Sequence, residues 1–223
     1  MRATLIIPAL NEAESLGPLL AEVPRQLIDE LIVVDNGSSD STSQVSRAAG
    51  ARVVDEPRRG YGYACAAGTA HATGEVLIYM DGDGSYVPAE LVNLLAHIER
   101  NQAGLVLGSR FHNRLNLTNM PSHQRMGNQL FTAWLRKRYN LELTDLGPFR
   151  AVKHDLLLSL EMQETTYGWP LEMIIKAARC HTIIVESPVT YRPRFAGQSK
   201  VSGTLRGSLL TAYRYLRVML VYA

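Results

Sequence analysis

Cysteine is scarce in this chain. Only Cys65 and Cys180 occur, far apart and outside any CxxC pair. That excludes a disulfide framework or a cysteine-built metal site, and fits two reduced core residues of a cytoplasmic protein. Long hydrophobic runs are missing as well. No window comes near the ~20 consecutive apolar residues of a membrane-spanning helix. The apolar run at residues 3–7 is stopped by Pro8 and is too short for a secretory signal. Charge of one sign is not in excess: 23 Lys and Arg against 21 Asp and Glu leave a net +2, too little to indicate a nucleic-acid partner. The six histidines show no ligand spacing, and no repeat, low-complexity tract or linker divides the 223 residues, so one domain is expected.

What is present is alternation. Short apolar runs at residues 3–7, 31–34, 51–55, 76–80 and 105–107 alternate with helix-like stretches at 16–23, 40–49, 61–72 and 88–100. This spacing predicts βαβ units, an α/β fold with a mainly parallel sheet flanked by helices. The second half is less regular. Helices are expected at 124–138, 156–160 and 170–178, a strand at 182–185 extended by 189–191, a Gly/Ser/basic loop at 192–203 and a last helix at 204–222. A body of residues 1–203 followed by an amphipathic helix over 204–223 is the expected organisation.

Ligands of open α/β sheets sit beyond the carboxyl ends of the strands. That rule selects three polar turns, at residues 8–12, 35–40 and 81–85. The last is the most informative. Asp81-Gly82-Asp83-Gly84-Ser85 follows a buried strand directly. Carboxylates two apart in an irregular turn can aim at one hard divalent cation. A calcium loop of the EF-hand type is disfavoured, because its twelfth position is Val92 rather than Glu. An acid-rich turn without function is the bland alternative; Asp35, ending its own strand on the same edge, weighs against it.

At this point a family resemblance is carried by many residues in order. Pro8-Ala9-Leu10-Asn11-Glu12, Val33-Val34-Asp35-Asn36-Gly37-Ser38-Ser39-Asp40 and Asp81-Gly82-Asp83 resemble the family 2 glycosyltransferases with the GT-A fold. Gly108-Ser109-Arg110-Phe111, Arg125-Met126-Gly127-Asn128, Thr144-Asp145, Phe149-Arg150-Ala151, Glu172 with Lys176-Ala177, and residues 191–200 are similar to the dolichyl-phosphate mannose synthase branch. The resemblance implies a donor site of Pro8, Asn11, Glu12, Asp35 and Asn36, with Mg²⁺ or Mn²⁺ held by Asp81 and Asp83 against the donor diphosphate. Ser85 stands where that branch often has Gln as a further ligand. Arg110, Arg125 and Glu172 would face the acceptor, and Arg194, Ser199 and Lys200 would close over the diphosphate.

The implied reaction moves a hexose from a UDP- or GDP-sugar to a polyprenyl phosphate. A phosphate monoester has a second pKa of about 6 and is already a nucleophile at neutral pH, whereas a hydroxyl acceptor needs a base. For a hydroxyl acceptor, a small metabolite or a glycan, Asp145 is the candidate base; a loop-pinning acid is the equally weighted alternative. A non-catalytic nucleotide-sugar-binding module is the third reading. In the last helix Leu205, Leu209, Leu210, Tyr213, Leu216 and Leu220 recur at helical spacing with Arg206, Arg214 and Arg217 between them. Such a helix can lie in the interface of a membrane or dock on the core, and both readings stay open. Peripheral contact with the cytoplasmic face of a membrane or with a membrane protein, and self-association into a homo-oligomer, are carried forward as partner expectations.

Overall fold

The computed structural model describes residues 1–112, 114–197 and 205–222. Seven strands form one sheet, β1 (Ala3–Ala9), β2 (Glu30–Asp35), β3 (Arg52–Asp55), β4 (Val76–Tyr79), β5 (Leu105–Ser109), β6 (Arg150–Lys153) and β7 (Ile184–Pro188), in the order β3-β2-β1-β4-β6-β5-β7. All neighbours are parallel except β6, which runs antiparallel to both β4 and β5. The helices are α1 (Ala13–Ala21), α2 (Thr42–Ala48), α3 (Tyr61–His71), α4 (Leu91–Glu99), α5 (Arg114–Thr118), α6 (Ser122–Tyr139), α7 (His154–Ser159), α8 (Trp169–Arg179) and α9 (Leu205–Tyr222).

Strand alternation explains the layering. Leu5 and Ile7 of β1 point into one core with Leu16, Leu19, Leu91 and Leu94 of α1 and α4. Ile6 points the other way, into a second core with Cys65 of α3 and Trp169, Ile174 and Ile175 of α8. Both faces of the central strands are therefore covered, as β-branched runs without polar alternation require. Gly68 lets α3 approach the sheet: a Cβ there would meet the Ile6 Cγ2 at 2.5 Å.

Three features depart from the sequence reading. β6 was not anticipated; it has four residues, and its Arg150 is fully buried, with guanidinium N–H groups donating to the carbonyls of Leu146, Gly147 and Pro170 at 2.6–2.9 Å. Cys180, expected in the core, is exposed, whereas Cys65 is buried. The last strand, expected over 182–185 with an extension at 189–191, runs from Ile184 to Pro188, and Tyr191 forms only an isolated bridge to Tyr86. Among the described residues no helix is long and apolar enough to cross a membrane.

Candidate active site

Because β1 lies between β2 and β4, the turns that follow these three strands meet at one edge. The register sets Ala9 beside Asp35 and Ile6 beside Tyr79, so Pro8, Asn36 and Asp81 open onto the same cleft. A cavity of about 690 Å³ begins there. Its lining includes Pro8, Glu12, Asn36, Asp81, Asp83 and Arg194, together with Arg110 and Tyr191. α6, α8 and α9 add the apolar or aromatic Phe131, Pro170, Leu210 and Tyr215, and also the polar Gln124, Asn128, Thr211 and Arg214.

The nucleotide-side turns are braced by one another. Asn11, at φ 50°, accepts the Ser39 N–H on its Oδ1 at 2.8 Å, and its own N–H donates to Ser38 Oγ. Asp35 accepts the Ser38 N–H at 2.8 Å and the Ser43 hydroxyl at 2.5 Å. Burial alone would raise its pKa, but these hydrogen bonds together hold it below the usual carboxylate value. Asn36 spends its amide on the loop before α3: Nδ2 donates to the carbonyls of Glu56 and Arg58, and Oδ1 accepts the Gly60 N–H at 2.8 Å. Asn36 thus shapes the cleft wall, and its polar atoms are already bonded to backbone. Neither Asn11 nor Asp35 is part of the cavity lining.

The acidic turn carries the strongest electrostatics. Burial first, then the neighbouring charges of Asp83 and Glu12, push the Asp81 pKa up to about 7, against the opposing pull of Arg110 and Arg194. Asp83 accepts the Ser85 N–H and hydroxyl on Oδ1 at 2.9 and 2.6 Å, and Arg194 Nη1 on Oδ2 at 2.7 Å. Ser85 is 1% exposed and outside the cavity lining. Its position corrects the expectation that it is a metal ligand: its hydroxyl orients Asp83. Among the described residues no three His, Cys, Asp or Glu side chains converge as a ready-made metal cluster.

Arg110, at the end of β5, is buried and held by Asp145. Its Nε and Nη2 donate to the two carboxylate oxygens at 2.7 and 2.8 Å, and its backbone N–H donates to Oδ2. Tyr191 lies under the guanidinium at 5.2 Å. Burial works against the Arg110 charge, but Asp145 and the surrounding groups outweigh it and raise the pKa. Asp145 is fully buried with both oxygens taken, so its expected role as a base is corrected: it fixes Arg110. Glu186 of β7 fixes Asp145 in turn, accepting the N–H groups of Thr144 and Asp145 at 2.7 and 2.8 Å.

The remaining expectations divide. Glu172 of α8 is fully buried, pairs with Lys176 at 2.8 Å and accepts the N–H groups of Gln163 and Glu164. It pins that loop and does not reach the cavity, which corrects its assignment to the acceptor. Arg125 lies on α6 beside the lining residues Gln124, Gly127 and Asn128 but is not itself in the wall. Ser199 and Lys200 fall outside the described residues. Tyr61, Phe131, Tyr191 and Tyr215 line the site without a role having been assigned to them. Tyr191 opens the 191–200 segment of the resemblance; Tyr215 lies off the exposed stripe of Leu209, Tyr213, Leu216 and Leu220, so that stripe gave no signal for it.

The model of glycosyl transferase family 2 matches residues 4–158. The glycosyltransferase Rv0539 of Mycobacterium tuberculosis is 38% identical over 216 residues, 97% of each chain. An undecaprenyl-phosphate mannosyltransferase of Micrococcus luteus is 33% identical, over 93% of this chain and 90% of its own. Among solved structures, glucosyl-3-phosphoglycerate synthase of Mycobacterium tuberculosis, in complex with Mn²⁺, UDP-glucose and phosphoglyceric acid, superposes at a TM-score of 0.77 with 22% identity, covering 99% of this chain and 79% of that one, which speaks to the fold. With a family model spanning most of the chain and a cleft at the carboxyl edge of the matching sheet, the protein belongs to glycosyl transferase family 2 and is a glycosyltransferase with the GT-A fold.

Proposed function

We propose that the enzyme transfers a hexose, with inversion, from a UDP- or GDP-sugar to a polyprenyl phosphate, using Mg²⁺ or Mn²⁺. One observation carries the choice of acceptor: the cavity that Arg110 lines is also lined by Phe131, Pro170, Leu210 and Tyr215 from α6, α8 and α9. A small polar acceptor gains nothing from such a wall, whereas each buried methylene of a prenyl chain contributes about 0.8 kcal/mol. The relative from Micrococcus luteus carries a polyprenyl phosphate in its name, which supports the same reading.

The carboxylates fit a divalent cation. Glu12, Asp81 and Asp83 line the same cleft, and the Asp81 pKa is raised first by burial and then by the charge of Asp83. A cation that takes one or two carboxylates together with substrate phosphates needs no pre-built cage. Such an ion, held by Asp81 and Asp83, would supply charge neutralisation to the departing nucleoside diphosphate.

The protein's own groups perform the rest. Arg110 keeps Nη1 without a partner among the described residues and lies in the cavity wall, so it can hold an acceptor phosphate while Asp145 fixes its other two nitrogens. A phosphate dianion needs no proton removed, which suits a site whose Asp145 is fully engaged. The phosphate oxygen attacks the anomeric carbon in line, the bond to the diphosphate oxygen breaks on the opposite face, and configuration inverts. Lys200 and Ser199 are proposed to join Arg194 on the diphosphate.

Membrane contact belongs to the same proposal. α9 docks through Val218 and through Tyr215, whose ring meets Phe131 edge-on at 4.9 Å. Its other face leaves Leu209, Tyr213, Leu216 and Leu220 exposed, and Met126 and Leu130 of α6 are exposed as well. Neither helix contains an acid, and α6 ends in exposed Arg136, Lys137 and Arg138. An apolar strip with basic flanks suits an anionic membrane surface, and would place the mouth of the cavity at the lipid. The test is incubation with labelled UDP-glucose, UDP-galactose or GDP-mannose, with and without polyprenyl phosphate and Mn²⁺. Label in the organic phase supports the proposal; label only in a water-soluble product refutes the lipid acceptor.

A further inference from the structure

Arg194 sits where the carboxylates of the donor site need positive charge. Nη1 donates to Asp83 Oδ2 at 2.7 Å, and Nη2 donates to Glu12 Oε1 and Oε2 at 2.9 and 3.0 Å. The contact is not left to a flexible side chain alone. Residues 191–195 are laid along residues 83–86: the Arg192 N–H donates to Ser85 O at 2.9 Å, the Phe195 N–H donates to Asp83 O at 3.0 Å, and Tyr86 bridges Tyr191. Gly84, at φ +79°, lies under the Phe195 ring, where a Cβ would come within 2.4 Å of it. The backbone thus delivers the guanidinium to the acids.

We infer that Arg194 is a built-in counter-ion of the donor site that competes with the divalent cation for Asp83. In the nucleotide-free protein the guanidinium neutralises Asp83 and Glu12 and keeps the affinity for free metal low. The metal-nucleotide complex brings its own cation and two anionic phosphoryl groups. Asp83 would then exchange the guanidinium for the metal, and Arg194 would be released to pair with the anionic diphosphate. Arg194 therefore opposes metal binding before the donor arrives and favours the donor afterwards, which makes the metal enter with the nucleotide. This inference rests on the proposed metal role of Asp81 and Asp83.

The experiment is Mn²⁺ binding by electron paramagnetic resonance on the full chain, with and without UDP, for the wild type, Arg194→Met, Arg194→Lys and Asp83→Asn. Arg194 is a partly exposed loop residue, and circular dichroism checks that each variant is folded. Without UDP, Arg194→Met is expected to bind Mn²⁺ at least fivefold more tightly than the wild type, with Arg194→Lys between them, because one ammonium cannot bridge both acids. With UDP the order reverses. Unchanged or weaker Mn²⁺ binding by Arg194→Met in the absence of UDP overturns the inference, even where Asp83→Asn loses the ion. If the wild type with UDP holds Mn²⁺ no better than Asp83→Asn does, the metal assignment falls, and the inference with it.

Discussion

Asp145 and Arg110 form the most buried ion pair among the described residues, with side chains 0% and 7% exposed. Removing one partner leaves a charge in a medium that solvates it poorly. Asp145→Asn is expected to lose about 3–5 kcal/mol of stability, read by denaturant unfolding, and to raise KM for the phosphate acceptor more than it lowers donor affinity. Asp83→Ala should stay folded and lose metal-dependent donor binding, measured by calorimetry with Mn²⁺ and the sugar nucleotide; normal turnover would refute the metal assignment. Asp81 gives a pH signature in metal-free protein. Its folded pKa, about 7, lies above the ordinary aspartate value of 3.8, so the folded state holds the proton more tightly and the contribution of Asp81 to stability is lost as pH rises from about 4 through 7. Asp81→Asn should therefore become progressively more stable than the wild type across that window, seen as a growing difference in Tm in EDTA. A constant difference would show that Asp81 titrates normally.

At the scale of elements, the parallel half was legible because its strands are continuous apolar runs closed by turn residues. The Ile-Ile-Pro and Ile-Val-Val-Asp endings of β1 and β2 announce both the strands and the edge where a ligand sits. β6 was not legible. Arg150-Ala151-Val152-Lys153 carries two basic residues in four, and only the carbonyls of residues 146, 147 and 170, brought near by the fold, make its buried arginine acceptable. The same limit applied to side-chain roles. Asp145 and Glu172 are acids beside apolar neighbours, which suits a site or a structural anchor equally, and only their partners, 35 and 8–9 residues away, show that they hold arginine and backbone in place. Asp81 and Asp83 stood out as a local Asp-Gly-Asp pattern, but Arg194, which the fold sets on Asp83 from 111 residues away, is not part of that pattern. Trp169 joins the two kinds of element: it opens α8, is 1% exposed and meets Tyr79 edge-on at 4.9 Å. Trp169→Ala is expected to cost about 3–5 kcal/mol, checked by thermal and denaturant unfolding.

For the whole molecule, the sheet edge brings Asp81, Asp83, Glu12 and Arg110 into one cavity with Phe131, Pro170, Leu210 and Tyr215 of α6, α8 and α9. α9 also leaves Leu209, Tyr213, Leu216 and Leu220 exposed. Replacing Leu209, Leu216 and Leu220 together with Asp should abolish flotation with anionic vesicles while leaving Tm within a few degrees, because these three side chains are already exposed. The most direct test of the account is the dependence of kcat/KM on acceptor chain length, using prenyl phosphates of increasing length with the preferred sugar nucleotide and Mn²⁺. The account predicts a steep rise until the cavity is filled and a plateau beyond it. A flat profile, or a short phosphorylated acid outperforming every prenyl phosphate, would contradict it.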